Sequence, residues 1–208
     1  MIILGLNGSP HRQGNTAALL KVALEAAGEL GVQTEEVFVQ EIMEKLDRPY
    51  CTACSSPCTG KCYRGTELEQ VFKRLGEADG VLMASPVYFG TASAQLKSFW
   101  DKTRRLRGEK RLLNVVGGAI SSGGSRFGGQ ETTLRALHSM MLIQGMLIAG
   151  DCYDEKAPGH HGVCSQQPTE DDSYALKRAA VLGKRVAQVS LATGSLRQNR
   201  PLGRPPKG

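Results

Sequence analysis

The sequence predicts an α/β protein built on a parallel sheet of five strands, with helices covering both faces. Short apolar runs alternate with amphipathic helical patterns along the whole chain, and loops of small residues follow three of these runs. Such alternation is typical of a parallel sheet that is buried on both sides. The chain has 208 residues, of which 40% are hydrophobic, enough for one well-packed domain that we expect to span residues 1–193.

The first strand is predicted at residues 2–6, and a loop of small residues separates it from a helical pattern. The loop, residues 8–16, reads Gly-Ser-Pro-His-Arg-Gln-Gly-Asn-Thr. Backbone N–H groups and hydroxyls collect at such a helix N-terminus, where the helix dipole favours an anion, and Asn15 is a candidate cap. The loop is neither a Gly-x-Gly-x-x-Gly fingerprint nor a Walker loop, so it indicates a monophosphate held without a metal. An ordinary polar turn is the alternative.

The remaining elements alternate in the same way. Strands are predicted over residues 35–39, 80–84, 111–116 and 145–149. Helices are predicted over residues 67–76, 92–106, 128–144 and 174–191.

Three segments rich in small residues are expected to meet at one edge of the sheet. They are residues 8–16, residues 85–90 after the third strand and residues 121–125 after the fourth. Ligands of parallel α/β sheets bind outside the carboxyl ends of the strands. Tyr88 and Phe89 suit the flank of a flat ring, and covering the sheet edge is the alternative role for them.

The charge distribution argues against nucleic acid as a partner. The net charge is +6, but residues 195–208 hold four basic side chains and no acid, which leaves +2 for residues 1–194. Aromatic residues are too sparse for a base-stacking platform. We expect residues 194–208 to form a disordered basic tail, because they contain too few apolar side chains to order themselves by burial. No membrane span and no secretory leader are predicted.

Four of the six cysteines lie in the predicted loop 49–65, at Cys51, Cys54, Cys58 and Cys62. This C-x2-C-x3-C-x3-C spacing suits a reducing, cytoplasmic environment and metal or redox chemistry better than a disulfide framework. Four thiolates in one loop can hold an iron-sulfur cubane. Structural zinc and free redox thiols are the alternatives.

Several ordered motifs together resemble the flavodoxin-like NADPH-dependent FMN reductase family, over about residues 1–190. They are Gly-Ser-Pro with Gly-Asn-Thr in residues 8–16, Ser-Pro-Val-Tyr-Phe-Gly in 85–90, Gln-Leu-Lys-Ser-Phe-Trp-Asp-Lys in 95–102 and Gly-Gly-Gln-Glu-Thr in 128–132. The cysteines are similar to those of the iron-sulfur flavoprotein branch, with one more residue before Cys58 and a shorter final gap.

The resemblance implies a flavodoxin-like three-layer sandwich with strand order 2-1-3-4-5, one FMN per subunit, and homodimers or homotetramers. Its motifs imply three groups of FMN-binding residues. The phosphate would be held by Ser9, Arg12, Gly14, Asn15 and Thr16. The isoalloxazine would be lined by Pro86, Val87, Tyr88, Phe89 and Gly90, and its pyrimidine edge by Ser122, Gly123, Gly124 and Ser125. The four loop cysteines would ligate a [4Fe-4S] cluster.

Two functions from different classes follow from these assignments. The first is an NAD(P)H-dependent reductase of flavins or quinones, in which the flavin carries the chemistry and no side chain is catalytic. The second is an electron carrier that relays electrons between partner proteins through FMN and the cluster. A regulatory flavoprotein that binds a partner through its basic tail is a third hypothesis.

Overall fold

The computed structural model describes residues 1–152 and 158–203, which form a parallel sheet covered on both faces. The strands β1 to β5 follow the order β2-β1-β3-β4-β5, and β6 pairs beside β4. Their bounds are β1 Ile2–Asn7, β2 Gln33–Phe38, β3 Gly80–Pro86, β4 Val116–Gly123, β5 Leu147–Ile148 and β6 Val163–Gln166. The predicted fold class and strand order are therefore confirmed.

Eight α-helices surround the sheet in the described part of the chain. They are α1 Asn15–Gly28, α2 Val39–Met43, α3 Glu67–Glu77, α4 Ala94–Asp101, α5 Arg104–Gly108, α6 Gln130–Leu142, α7 Ser173–Ala192 and α8 Gly194–Gln198. Of these, α1 and α7 pack on one face, in a core that includes Leu19 and Leu182. On the other face, α3, α4 and α6 contribute Phe72, Phe99 and Leu137 to a second core.

Strand β4 lies later in the chain than the sequence predicts. The apolar run at residues 111–116 is mostly turn, and the strand runs through Gly-Gly-Ala-Ile-Ser-Ser-Gly instead. Every residue of β4 is buried. A Cβ at Gly117 would lie 2.4 Å from Met141 Sδ, and one at Gly118 would lie 2.9 Å from Val186 Cγ2. Small residues are therefore needed here, because α6 and α7 pack closely on the two faces of this interior strand.

The fifth position in the sheet is shared by two short strands. Gly117 on β4 is in register with Ile148 on β5, and Ile120 on β4 is in register with Val163 on β6. The strand predicted at 145–149 thus supplies only two residues. The chain leaves the sheet after β5 and returns in parallel as β6, which the sequence analysis did not predict.

The helix predicted at 92–106 is broken into α4 and α5. Thr103 lies between them, fully buried, and its hydroxyl donates to Trp100 O at 2.7 Å. The same hydroxyl accepts a 2.7 Å hydrogen bond from Gln144 Nε2. A polar side chain that bonds to the backbone competes with helix continuation.

The segment after residue 193 also differs from the expected disordered tail. Residues Gly194–Gln198 form α8, and Arg197 is buried with its Nε 3.1 Å from Asp79 Oδ1. Gly203 N donates to Glu109 O at 3.0 Å. Specific hydrogen bonds and an ion pair hold residues 194–203 against the domain. A shortage of apolar residues therefore does not imply disorder in this part of the chain. The end of the predicted tail, residues 204–208, lies outside the described residues.

Within residues 1–152 and 158–203, the helices are all too short or too polar to cross a lipid bilayer.

Candidate functional site

The three small-residue segments meet at the carboxyl edge of the sheet because the strands before them are in register. Asn7, the last residue of β1, lies opposite Ala84 on β3, and Pro86, the last residue of β3, lies opposite Ser122 on β4. Gly8 N extends this ladder by donating to Ala84 O at 2.8 Å. The site expected for a flat, phosphorylated ligand is therefore assembled by strand register.

A buried asparagine shapes the loop after β1. Asn7 Oδ1 accepts a 3.0 Å hydrogen bond from Ser9 N, and Asn7 Nδ2 donates at 3.0 Å to Glu36 Oε1 on the neighbouring strand. Ser9 Oγ then accepts from His11 N at 3.1 Å. Burial raises the pKa of Glu36, and the hydrogen bond from Asn7 lowers it in part. Consecutive side chain–backbone bonds thus turn the chain tightly toward α1.

The N-terminus of α1 suits an anion. Its N-cap is Gly14, which contributes no side-chain acceptor, and no acidic residue lies in the first turn. Asn15, predicted as the cap, is instead the first helical residue, and its Oδ1 accepts from Thr169 N at 2.7 Å. That bond leaves the Asn15 Nδ2 group as a donor. Thr16 is buried beside it. First-turn N–H groups and the helix dipole both favour a negative charge here.

The side chain of Arg12 contacts residues outside the loop 8–16. Its guanidinium forms an ion pair with Glu41 on α2, and its Cζ lies 4.2 Å from the centre of the Phe38 ring. The hydrogen bond and the charge of Glu41 raise the pKa of Arg12. Contact between Arg12 and a phosphate would require the guanidinium to leave Glu41.

Residues 86–90 form a tight turn at the end of β3. Tyr88 and Thr91 exchange two backbone hydrogen bonds of 3.0 and 3.2 Å, and Phe89 and Gly90 between them have positive φ angles of 49° and 77°. The Phe89 ring is fully exposed. Thr132 Oγ1, on α6, donates to Gly90 O at 2.9 Å. This turn therefore presents an aromatic side chain beside a rigid backbone.

The end of β4 supplies an unsatisfied polar group. Ser122 is buried, and among the described residues its hydroxyl has no hydrogen-bond partner. Gln130 Nε2 donates at 2.7 Å to Ser125 O and so holds the following turn against α6. A buried hydroxyl without a partner is unfavourable unless a ligand or water completes it. The residues at this edge therefore fit a polar ligand rim such as that of a flavin.

A cavity of about 1050 Å³ adjoins this edge. Phe127 and Gln130 line it from the α6 side, and Ser165 and Pro168 line it from the segment around β6. The size suits a nucleotide-sized or quinone-sized molecule.

Ser93 links the two loops of the site, and the sequence analysis assigned it no role. It is the N-cap of α4, where its Oγ accepts from Leu96 N at 3.2 Å. The same hydroxyl donates to Gly8 O at 2.6 Å, and Ser93 N donates to Ser85 Oγ at 3.0 Å. Ser93 lies inside the helix predicted at 92–106, and a serine so near the start of a helical pattern is the signal that could have identified it as the cap.

The cysteine loop lies between α2 and α3, and it is largely irregular. All four cysteines line one cavity of about 450 Å³. Cys54 and Cys62 are exposed, and Cys51 and Cys58 are half-buried. Cys62 sits in a short 3-10 turn, Lys61–Tyr63, which the buried Tyr63 ring anchors against Phe72 with ring centres 5.0 Å apart.

The four thiols line one cavity, but they do not lie close enough together to form a set of metal ligands. Within residues 1–152 and 158–203, no three His, Cys, Asp or Glu side chains are grouped closely enough to hold a metal ion. Four basic side chains and one acidic side chain, Asp47, also line this cavity. Lys45 pairs with Glu67, whereas Arg48, Lys102 and Arg104 form no ion pair with a carboxylate of the described residues. Four thiols among unpaired cations fit the chemistry of an anionic metal–thiolate centre.

The strand order and the loops at the carboxyl edge of the parallel sheet define a protein of flavodoxin-like fold with an edge suited to an anionic ligand. The family model for NADPH-dependent FMN reductase matches residues 1–154, and the chain belongs to this family. It is accordingly an FMN-binding oxidoreductase.

Comparisons with individual proteins agree with this assignment. The chain is 40% identical over 193 residues to an iron-sulfur flavoprotein of Methanocaldococcus jannaschii, covering 91% of this chain and 97% of the relative. It is 34% identical over 185 residues to an NAD(P)H dehydrogenase (quinone) of Archaeoglobus fulgidus, covering 85% and 92%. The flavodoxin WrbA-like protein from Agrobacterium tumefaciens has the same fold, with a TM-score of 0.63, 18% identity and coverage of 92% and 97%.

Proposed function

We propose that the protein transfers electrons from NAD(P)H, through FMN, to a flavin or quinone, and that a [4Fe-4S] cluster gives it a one-electron route to a partner protein. The observation that carries the flavin part is the meeting of the three loops at one sheet edge, where Ser122 is buried without a partner among the described residues. The relatives named as quinone dehydrogenases support a quinone as one acceptor.

The residues of this edge have separate roles in the proposal. The phosphate group would lie at the N-terminus of α1, within reach of Ser9, Gly14, Asn15 and Thr16. Arg12 would contribute only after leaving Glu41. The dipole of α1 and its first-turn N–H groups would balance the phosphate charge.

The ring system would lie between the two later loops. Residues 86–90 would support it through Tyr88, Phe89 and rigid backbone, and residues 122–125 would donate hydrogen bonds to its pyrimidine edge. The Ser122 hydroxyl gains a partner in this arrangement, which removes an unfavourable buried group. FMN, when bound, accepts a hydride and releases electrons in pairs or singly. The protein supplies placement and electrostatics, and no side chain at this edge is required as an acid or base.

The cysteine loop would hold the cluster through Cys51, Cys54, Cys58 and Cys62. Their common cavity, its unpaired basic side chains and the relative named as an iron-sulfur flavoprotein support this assignment. The cluster supplies one-electron transfer. Zinc bound by the same thiolates is the competing possibility, and assays of iron, sulfide and zinc distinguish the two.

An electron carrier without a small substrate is the second candidate function. Two of the four cysteines are exposed, which favours direct electron exchange with a protein partner. Stopped-flow mixing of the anaerobic protein with NADH or NADPH separates the candidates. Rapid loss of flavin absorbance supports the reductase. A flavin that stays oxidised while a reduced protein partner still bleaches it supports the carrier.

We further propose that the protein works in the cytoplasm as a homodimer or homotetramer. We call the carboxyl edge of the sheet, where the loops 8–16, 85–90 and 121–125 meet, the flavin edge. Exposed aromatic side chains near it, Phe89 and Phe127, support an interface there. Light scattering at micromolar concentration with FMN bound should give a mass above that of one chain. A monomer would contradict the oligomer.

A further inference from the structure

One lysine is buried beside the cysteine loop. Lys102 follows α4 as its C-cap residue, and only 2% of its surface is exposed. Its Nζ lies 3.7 Å from Cys62 Sγ, and Nζ forms no ion pair with any carboxylate of the described residues. The chain thus places an ammonium group, out of water, against one of the four loop thiols.

Burying an ammonium group is unfavourable unless an anion compensates for it. The carbonyl groups at the C-terminus of α4 carry a partial negative charge, which compensates only in part. A cluster ligated by four thiolates carries a net negative charge. It would provide the missing partner at the position where Cys62 already lies.

The neighbouring basic residues do not explain the position of Lys102. Lys45 also lines the cysteine cavity, but its ammonium lies 2.8 Å from Glu67 Oε2 and is more than half exposed. Lys97, five residues earlier and on α4, extends into solvent and pairs with Asp101 at 2.7 Å. Lys102 differs from both because it is buried and directed at sulfur.

The backbone around Lys102 is fixed by the flavin edge. At its start, α4 is tied to Gly8 through the Ser93 hydroxyl. At its end, Lys102 N bonds to Phe99 O at 3.1 Å, and Phe99 is fully buried in the core. The helix therefore holds the ammonium in one place relative to both the first loop and the cysteine loop.

We propose that Lys102 is a positioning residue for the iron-sulfur cluster, donating a charged hydrogen bond to the Cys62 sulfur and making the cluster easier to reduce. This inference rests on the proposed cluster and adds a residue to its surroundings. A positive charge and a hydrogen bond to sulfur both stabilise the added electron, so they raise the reduction potential.

The test compares Lys102→Met, Lys102→Gln and Lys102→Arg with Lys97→Met as the control on the same helix. Anaerobically purified full-length protein is titrated with dithionite and mediators, and the reduced cluster is followed by electron paramagnetic resonance. Iron, sulfide and FMN contents are measured in parallel. In the neutral variants, the ratio of reduced to oxidised cluster at the wild-type midpoint should fall roughly tenfold, equivalent to about 59 mV for a one-electron couple. Lys102→Arg and Lys97→Met should stay within about threefold of wild type.

Loss of iron and sulfide from the neutral variants, with FMN retained and the cluster kept in Lys102→Arg, also supports the role of the charge. A fully loaded neutral variant with an unchanged midpoint overturns the proposal, as does equal loss of the cluster in Lys102→Arg. If a neutral variant does not fold, the other neutral variant and the arginine variant decide by the same criteria. Zinc without sulfide in the wild type overturns both this proposal and the proposed cluster. A wild-type cluster that is indifferent to position 102 overturns this proposal alone.

Discussion

The flavin edge and the cysteine loop are held in place in different ways. At the flavin edge, the register of β1, β3 and β4 positions the three loops, and buried hydrogen bonds such as the one from Ser93 to Gly8 hold them together. In the cysteine loop, the hydrogen bonds to side chains are exposed or only part-buried, such as those from Ala53 N to Cys51 Sγ, from Thr59 N to Ser55 Oγ and from Gly65 N to Glu69 Oε2. Contacts with residues outside the loop, between Lys102 and Cys62 and between Phe72 and Tyr63, supplement them.

This difference indicates how each cofactor relates to folding. The protein core builds the flavin edge, so FMN should bind a site that is already formed. The cysteines share a cavity without forming a ligand set, so a metal centre would draw the loop together and contribute to its stability. Changes in one region should therefore leave the other cofactor in place.

The largest expected effect is loss of the metal centre from Cys58→Ser. Removing one of four thiolates should abolish iron and sulfide binding and leave FMN at its wild-type level, because the loops of the flavin edge do not include residue 58. Iron, sulfide and flavin assays on the anaerobically reconstituted protein measure this. Cys164→Ser, which changes a half-buried cysteine on β6, is the control and should keep the iron. Joint loss of FMN and iron from Cys58→Ser would contradict the separation of the two regions.

The converse change is Thr16→Ala at the start of α1. Loss of a hydrogen bond to the charged phosphate should weaken FMN binding by about 1.5–3 kcal/mol, roughly tenfold or more in Kd. Titration with FMN, followed by quenching of its fluorescence, gives the affinity. Thr34→Ala on the edge strand β2 is the control. Unchanged FMN affinity in Thr16→Ala would contradict the proposal that this loop binds the phosphate.

A smaller effect, on the free energy of unfolding, is expected from Ser93→Ala. The substitution removes the hydroxyl that donates to Gly8 O at 2.6 Å and caps α4, at a cost of about 1–2 kcal/mol of unfolding free energy. Urea denaturation measures it. Ser98→Ala, on the same helix, should change stability by less than about 0.5 kcal/mol. Equal stability of the two variants would show that Ser93 does not hold the flavin edge together.

The mildest test concerns thiol reactivity. Burial raises the pKa of Cys164 to about 11, which the hydrogen bond from Ser121 offsets only in part. At pH 8 its thiolate fraction should be about a hundredfold smaller than that of an ordinary thiol. In metal-free protein, iodoacetamide should therefore label the exposed Cys54 long before Cys164, as followed by peptide mass spectrometry. Raising the pH toward 11 should bring the labelling rates of the two cysteines closer together. Early labelling of Cys164 at pH 8 would contradict its burial.

Local sequence patterns predict the parallel sheet and the three loops well, because the tertiary structure preserves these patterns. The strand order was implied by the family resemblance and is confirmed. The prediction from sequence fails where tertiary packing outweighs the local hydrophobic pattern. The Gly-Gly-Ala-Ile-Ser-Ser-Gly stretch of β4 has the composition of a loop, yet it forms an interior strand whose small residues allow helices to pack closely on both of its faces. The apolar run before it is largely turn, with Lys110 and Asn114 at positive φ.

Long-range contacts explain the remaining differences. Asn15 bonds to Thr169, 154 residues away, and Arg197 pairs with Asp79 across the fold, so neither partner is visible in the local sequence. Lys102 is the last residue of the motif at 95–102, but its burial against Cys62 depends on how α4 packs. Roles that depend on distant partners therefore require the structure.

The cofactor content of the anaerobically purified protein tests the two-region account most directly. The visible spectrum should show resolved flavin bands over a broad iron-sulfur shoulder, with one FMN and about four iron and four sulfide per chain. Zinc without sulfide would contradict the cluster and leave the flavin edge standing. Absence of FMN from protein that stays folded and does not take up added FMN would contradict the account at its centre.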